Sequence, residues 1–321
     1  MAVTKIDCLC PLSVGELVLS ESYTSLSKAR LSLSGLALGD AFGTRCYTGP
    51  HNAENYPGDE RVLLVPGPWR WTDDTAMALS VIEQLQEGGT VEPSELMKRF
   101  VRRYMEDPQR GYGSGARKLL EQVARGLPYD KAAAALFGGK GSFGNGAAMR
   151  VAPLGAWFSE DLDRVVDEAI RSAICTHTHV DGQAGAVAIA LAAAIVWEER
   201  LLSPSQIRER LFAELKARVP DSPTRDGIVQ VASLPVDLSI EGWLKALDTK
   251  LGATSAETVP FCIAMISRHL GSLGEGLWRT MAGCGDHDTT AAMVGGVLAL
   301  HVGKDGIPER WLSRVEPFSR P

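Results

Sequence analysis

Two short runs each carry a pair of carboxylates beside threonines: Thr72-Asp73-Asp74-Thr75 and Asp286-His287-Asp288-Thr289. Each opens a stretch of helical spacing, 74–87 and 288–303. Capping accounts for one acid or threonine at a helix start, because a side-chain oxygen there accepts from free backbone N–H groups and favours the positive helix end. Capping does not call for the second acid. If the two helix starts converge, four carboxylates meet and repel, and a divalent cation relieves the repulsion. Carboxylate and hydroxyl oxygens are the ligands that Mg²⁺ or Mn²⁺ prefers. Two readings stand: separate caps, or a cation site assembled from distant parts of the chain.

Three further stretches bear on chemistry. Residues 138–150, GGKGSFGNGAAMR, place Gly139, Gly141 and Gly144 in a GxGxxG pattern. The preceding AAAALF reads as helix, not as the strand of a dinucleotide-binding unit, and Lys140 is followed by glycine where a P-loop needs Ser or Thr. The glycines still let backbone amides approach a phosphate at a helix start; the alternative is a tight turn between helices. In Thr176-His177-Thr178-His179-Val180-Asp181, histidines at i and i+2 do not share a helix face. One at most points into a site, the other capping or solvated. In residues 35–43, GLALGDAFG, small residues end at an acid and then a glycine, which reads as close helix packing with a stop, or as Asp40 reaching the cation region.

The elements that must position these groups are helices. Apolar residues recur at helical spacing from Leu26 to Ala37, and helices fit 74–87, 93–106, 115–125, 129–137, 146–158, 161–174, 181–200, 204–218, 239–251, 256–270 and 288–303. Only 61–65 and 229–231 resemble strands, and the alternation of a doubly wound sheet is missing. The expectation is an all-α fold of many helices crossing at steep angles. The stretches 43–68 and 221–235 read as loops. At 321 residues one or two domains are allowed. We expect one domain over 26–321, preceded by an arm over 1–25.

Composition bounds the function. Apolar residues are 45%, charged residues 22% and the net charge is −6, an ordinary globular balance that argues against a broad nucleic-acid-binding face. Six cysteines without a CxxC pair suggest reduced thiols and a cytoplasmic setting. The first residues lack the pattern of a signal peptide, and the longest apolar run, 184–197, is short for a bilayer and reads as a buried helix, so no membrane partner is expected.

Taken in order, the stretches GLALGDAFG (35–43), WRWTDDTAMAL (69–79), GSFGNGAAMRVAPLG (141–155), THTHVDGQAG (176–185) and GDHDTTAAMVGGVLAL (285–300) resemble the ADP-ribosylglycohydrolase family. The resemblance implies a compact all-α hydrolase that holds two Mg²⁺, or Mn²⁺, and cleaves ADP-ribose from a modified side chain, arginine first among them. It implies metal ligands Thr72, Asp73 and Asp74 on one side and Asp286, Asp288 and Thr289 on the other, with Asp288 shared. Asp73, Asp74 and Asp288 would do the catalytic work. Ser142, Gly144, Asn145 and Gly146 would hold the phosphates and distal ribose, with His177 beside them. The partners implied are ADP-ribose and ADP-ribosylated protein.

Two departures stand out. Many relatives carry threonine where His287 sits, a position whose side chain should point away from the metals. Many also place a glutamate a few residues after GDAxG; here Thr44-Arg45-Cys46-Tyr47 has no acid, leaving Glu54, Asp59 or Glu60 as substitutes. Two other functions stay open. A His-Asp metal phosphohydrolase would need His177 and His287 as ligands. A non-catalytic binder of ADP-ribose, or of an ADP-ribosylating toxin, would use residues 1–25 as a contact arm.

Overall fold

The computed structural model describes residues 23–47, 67–283 and 285–318. All regular elements among them are helices, as expected. In chain order these are α1 (Ser25–Tyr47), α2 (Asp73–Gly88), α3 (Pro93–Glu106), α4 (Ser114–Ala124), α5 (Tyr129–Ala134), α6 (Leu136–Gly139), α7 (Ala152–Trp157), α8 (Leu162–Ile174) and α9 (Val180–Glu198). They continue with α10 (Pro204–Arg218), α11 (Pro223–Ser233), α12 (Ile240–Ala246), α13 (Ser255–Arg268), α14 (Leu273–Met281), α15 (His287–Val302) and α16 (Glu309–Leu312). Residues 1–22 and 48–66 lie outside the described residues, and with them most of the expected arm, the 61–65 strand and Glu54, Asp59 and Glu60.

The core is organised around α9. Its residues are apolar on every side, so it has no face to give to water, and it is buried from Ala184 to Trp197. It is long and apolar enough to cross a membrane by length and composition, yet it lies inside the protein, packed by α7, α8, α10, α13 and α15. The expected buried helix is therefore found.

The closest helix pair is α1 with α15, and glycine makes it possible. Gly35, Gly39 and Gly43 fall one turn apart on α1 and meet Gly295, Ala291 and His287, one turn apart in the opposite direction on α15. A Cβ on Gly35, Gly39 or Gly43 would lie 2.3, 2.0 or 2.5 Å from the carbonyl oxygen of its partner. No larger residue fits between the backbones. Gly43 is thus a packing residue, and α1 runs through it to Tyr47 instead of stopping there. The antiparallel ladder fixes Asp40 beside the first turn of α15, which begins the assembly of the site.

Several boundaries differ from the sequence expectation for local reasons. The segment 221–235 is not a loop, and 229–231 is not a strand: α11 occupies them. Ser222 caps α11 by accepting from the Arg225 N–H at 3.2 Å, Pro223 sits in its first turn, and Thr224, Ile228 and Val231 are buried at spacings of four and three. The alternating valines at 229 and 231 masked that helical period. The expected helix 146–158 is broken into a short 3₁₀ turn, Asn145–Ala147, and α7, which restarts with Pro153 near its first residue. Helix α14 had no sequence expectation; its glycines serve packing, since a Cβ on Gly276 would lie 2.3 Å from Leu298 Cδ1 on α15.

Candidate active site

Helix α2 begins without a cap of its own. Thr72 stands in the capping position with extended backbone, but its side chain does not bond the helix amides. Asp40 from α1 does so instead. Its carboxylate accepts from the Thr72 N–H at 2.9 and 3.0 Å and from the Thr75 N–H at 3.1 Å. The hydroxyls of Thr72 and Thr75 also donate to it, at 2.8 and 2.6 Å. Asp40 is fully buried, and burial pushes its carboxyl up to about 7 against these hydrogen bonds. So Asp40 does reach the cation region, as the bolt that ties α1 to the acidic turn.

Asp73 and Asp74 follow on that turn. The Asp73 N–H donates to the Arg110 carbonyl at 2.7 Å. Asp74 Oδ2 lies 3.0 Å from the Thr72 hydroxyl, while Asp74 Oδ1 is buried without a partner. One hydroxyl proton cannot serve both Asp40 and Asp74, so the group of acids is short of hydrogen-bond donors.

The second acidic turn comes from the start of α15. The Asp286 N–H donates to the Leu251 carbonyl at 2.9 Å, and Asp288 Oδ1 accepts from the Thr289 N–H at 2.9 Å. The Asn145 side-chain amide donates to Asp286 Oδ2 at 2.8 Å, joining the glycine run to the acids. The two turns converge. Burial lifts Asp74 well above the usual carboxylate range, and repulsion from Asp40, Asp288, Asp73 and Asp286 adds to it. Asp73 is lifted likewise by burial and then by Asp40 and Asp288. Asp286 is pushed up to about 6 by burial, with the Asn145 bond opposing and Asp288 reinforcing.

A cleft of about 370 Å³ opens onto this region. Asp73, Asp286, Asp288 and Thr289 line one part, and Ser142, Asn145, Gly146 and His177 another. Thr72, Asp74 and Gly144 are not part of the wall, Thr72 and Asp74 being buried. Gly141 takes a left-handed turn at φ +75°, and a Cβ there would lie 2.0 Å from the Thr178 hydroxyl, so glycine is required on both counts. His177 is buried, and burial followed by the Arg150 charge pushes its imidazole down to about 3, so it is neutral. The other histidine of that pair, His179, caps α9, its Nδ1 accepting from the Asp181 N–H at 3.1 Å. One histidine in the site and one capping is the expected division. His287 lies outside the wall, which leaves a histidine-ligated phosphohydrolase centre without its second ligand.

The acids fit a divalent cation in donor chemistry. All are oxygen ligands, Asp74 Oδ1 is an orphaned buried acceptor, and the carboxylates repel one another. Among the described residues, no three His, Cys, Asp or Glu side chains are gathered tightly enough to grip an ion as they stand.

Four contributors had no sequence signal of their own. Phe137, half exposed at φ 51°, presents a ring at the cleft rim. Arg150 and Thr176 lie in its wall. Glu316 acts from far along the chain: it grips the Arg110 guanidinium at 2.6 and 2.9 Å, that guanidinium stacks 3.6 Å over Trp71, and the Arg110 backbone carbonyl accepts from the Asp73 N–H. Backbone bonds between Trp69 and both Arg314 and Glu316 complete the clasp. Glu316→Ala is expected to lower stability by about 1 kcal/mol, the partly exposed pair being screened. Turnover is expected to fall roughly tenfold, because a small shift of the acidic turn misplaces reacting groups. Thermal unfolding and initial rates on the same sample check this; unchanged turnover would show that the clasp does not hold the turn.

Comparison with known proteins places this chain among relatives. The sequence profile of the ADP-ribosylglycohydrolase family matches residues 21–320. ADP-ribosylhydrolase ARH3 of Danio rerio is 31% identical, over 89% of this chain and 85% of its own length. ADP-ribosylarginine hydrolase Tri1 of Serratia proteamaculans is 32% identical, over 48% of this chain and 43% of its own. A solved ADP-ribosylglycohydrolase-related protein complex contains a chain that superposes with a TM-score of 0.65 at 25% identity, covering 91% of this chain and 93% of that one.

Proposed function

The chain belongs to the ADP-ribosylglycohydrolase family, hydrolases that remove ADP-ribose, and from that premise we propose that it frees ADP-ribose from modified protein side chains, arginine first, with the help of two divalent cations. The supporting observation is the convergence of two acidic helix starts at a cleft whose opposite wall is the glycine run and His177.

Thr72, Asp73 and Asp74 from one turn and Asp286, Asp288 and Thr289 from the other would hold two Mg²⁺ or Mn²⁺ ions, with Asp288 shared. When bound, such ions supply Lewis acidity toward ribose hydroxyls and water. The chain's own residues do the rest. As the bond at the anomeric carbon breaks, the ribose gains oxocarbenium-like charge, and the carboxylates of Asp73, Asp286 and Asp288 on the cleft wall stabilise it. Water forms the new C–O bond as the bond to the side-chain nitrogen breaks; Asp73, facing the cleft, takes the proton from that water and passes it to the departing guanidine nitrogen, while Asp74 completes the acidic turn. Ser142, Asn145, Gly146 and the neutral His177 hold the diphosphate and distal ribose, with Gly144, outside the wall, shaping the turn by donating its N–H to Ser142 Oγ at 3.3 Å. The Phe137 ring offers a flat apolar face to the adenine.

The name of the Serratia relative supports the arginine linkage; serine is its competitor. Buried thiols at Cys175 and Cys262, neither in a disulfide, are in keeping with the proposed cytoplasmic setting. The test is to incubate arginine- and serine-ADP-ribosylated proteins with the enzyme, with Mg²⁺ or with EDTA, and to quantify released ADP-ribose. Mg²⁺-dependent release, faster from arginine, is expected. Equal release in EDTA would contradict the cation requirement, faster release from serine the linkage, and no release from either the hydrolase itself.

A further inference from the structure

Arg150 is fully buried in the cleft wall, and the bonds it makes are to neutral groups. Nη1 donates to the Gly146 carbonyl at 2.9 Å, and Nη2 to the Ser172 carbonyl at 2.7 Å and the Thr176 hydroxyl at 2.9 Å. Its guanidinium lies 4.6 Å over the Phe100 ring, and its Nε has no partner. Thr176 Oγ1 is in turn 2.7 Å from His177 Nδ1. One side chain therefore ties the glycine run to the histidine turn, two walls of the cleft more than twenty residues apart in sequence.

A buried cation without a contacting anion is costly, and carbonyl dipoles and an aromatic face offset only part of that cost. Burial lowers the guanidinium only to about 10, so it stays charged at neutral pH. Asp73 acts on it through space, without a bond. A positive charge thus stands behind Gly146 and His177, with no bonded anion to neutralise it.

We propose that Arg150 is a positioning residue that makes the glycine-rich end of the cleft prefer a diphosphate to a neutral nucleoside, by locking Gly146 to the Thr176–His177 turn and by supplying the buried charge behind them. The inference rests on the ADP-ribose reading above and assigns that site its source of charge selectivity. A merely structural Arg150 would affect all ligands alike.

The test is calorimetric titration of the full chain, in Mg²⁺, with ADP-ribose and separately with adenosine, for wild type, Arg150→Met and Arg150→Lys. Arg150→Met is expected to weaken ADP-ribose binding by about 30-fold and adenosine binding by less than about threefold. Arg150→Lys, which keeps the charge, should recover a substantial part of the difference. Equal weakening of both ligands by Arg150→Met, or no weakening of ADP-ribose, would overturn the proposal. So would wild type binding adenosine as tightly as ADP-ribose, a result that needs no variant to fold. Failure of the parent reading looks different: wild type would bind no ADP-ribose, and the inference would fall with it.

Discussion

Replacing Asp73 and Asp288 together by alanine is expected to slow ADP-ribose release by at least about 10³-fold, equivalent to roughly 4 kcal/mol of lost transition-state stabilisation. The two residues come from different turns, so the double variant removes a cation ligand from each side and two of the carboxylates that face the developing ribose charge. The same variant is expected to melt no lower than wild type in the absence of added metal. Burial and mutual repulsion hold Asp73 well above the usual carboxylate range, so ionising it opposes folding, and its removal relieves that opposition. Loss of turnover with a retained or raised Tm separates a functional cluster from a structural one. Undiminished release by the double variant would defeat the reading, and so would a collapse of the fold, because it would make the acids structural caps after all.

Gly39→Ala is expected to be among the most damaging single-methyl additions at the described residues. Its Cβ would stand 2.0 Å from the Ala291 carbonyl oxygen and 2.6 Å from the carbonyl carbon, both backbone atoms that cannot rotate aside. The helices must separate, and overpacking of this kind costs about 3 kcal/mol. A Tm several degrees lower follows for a domain of this size. The damage is also directional. Asp40 is the next residue on α1, and separating α1 from α15 pulls its carboxylate away from Thr72 and Thr75 or away from Asp288. We therefore expect Gly39→Ala to lose turnover well below its melting temperature, by about tenfold or more. Gly88→Ala, at the exposed end of α2 with open space around it, serves as control and should change neither quantity. Equal behaviour of the two variants would refute the ladder as the positioning device.

Much of the site was legible because its chemistry is local. Two acids and a threonine at a helix start are visible as such, and so is a run of glycines followed by Asn145. That these lie on an all-α scaffold followed from periodicity alone. What the sequence could not show is what depends on distant contact. Asp40 reads as an acid at the end of a small-residue helix until Thr72 and Thr75 are seen bonding to it. Arg150 reads as one more basic residue until its full burial is known. Glu316 lies some 240 residues from the acidic turn it supports. The misplaced elements share a cause: valine alternation in 229–231 suggested a strand where burial of Ile228 and Val231 selects a helix, and the helix over 273–281 went unassigned although Gly276 lets it approach α15 closely. Tertiary packing overrode local propensity in each case.

The most direct test of the central claim is anomalous diffraction from crystals grown with Mn²⁺ and ADP-ribose. Two anomalous peaks are expected between the Thr72–Asp74 turn and the Asp286–Thr289 turn, with the diphosphate against Ser142, Gly146 and His177. Bound ADP-ribose with no anomalous peak between those turns, or peaks held by other residues, would contradict it.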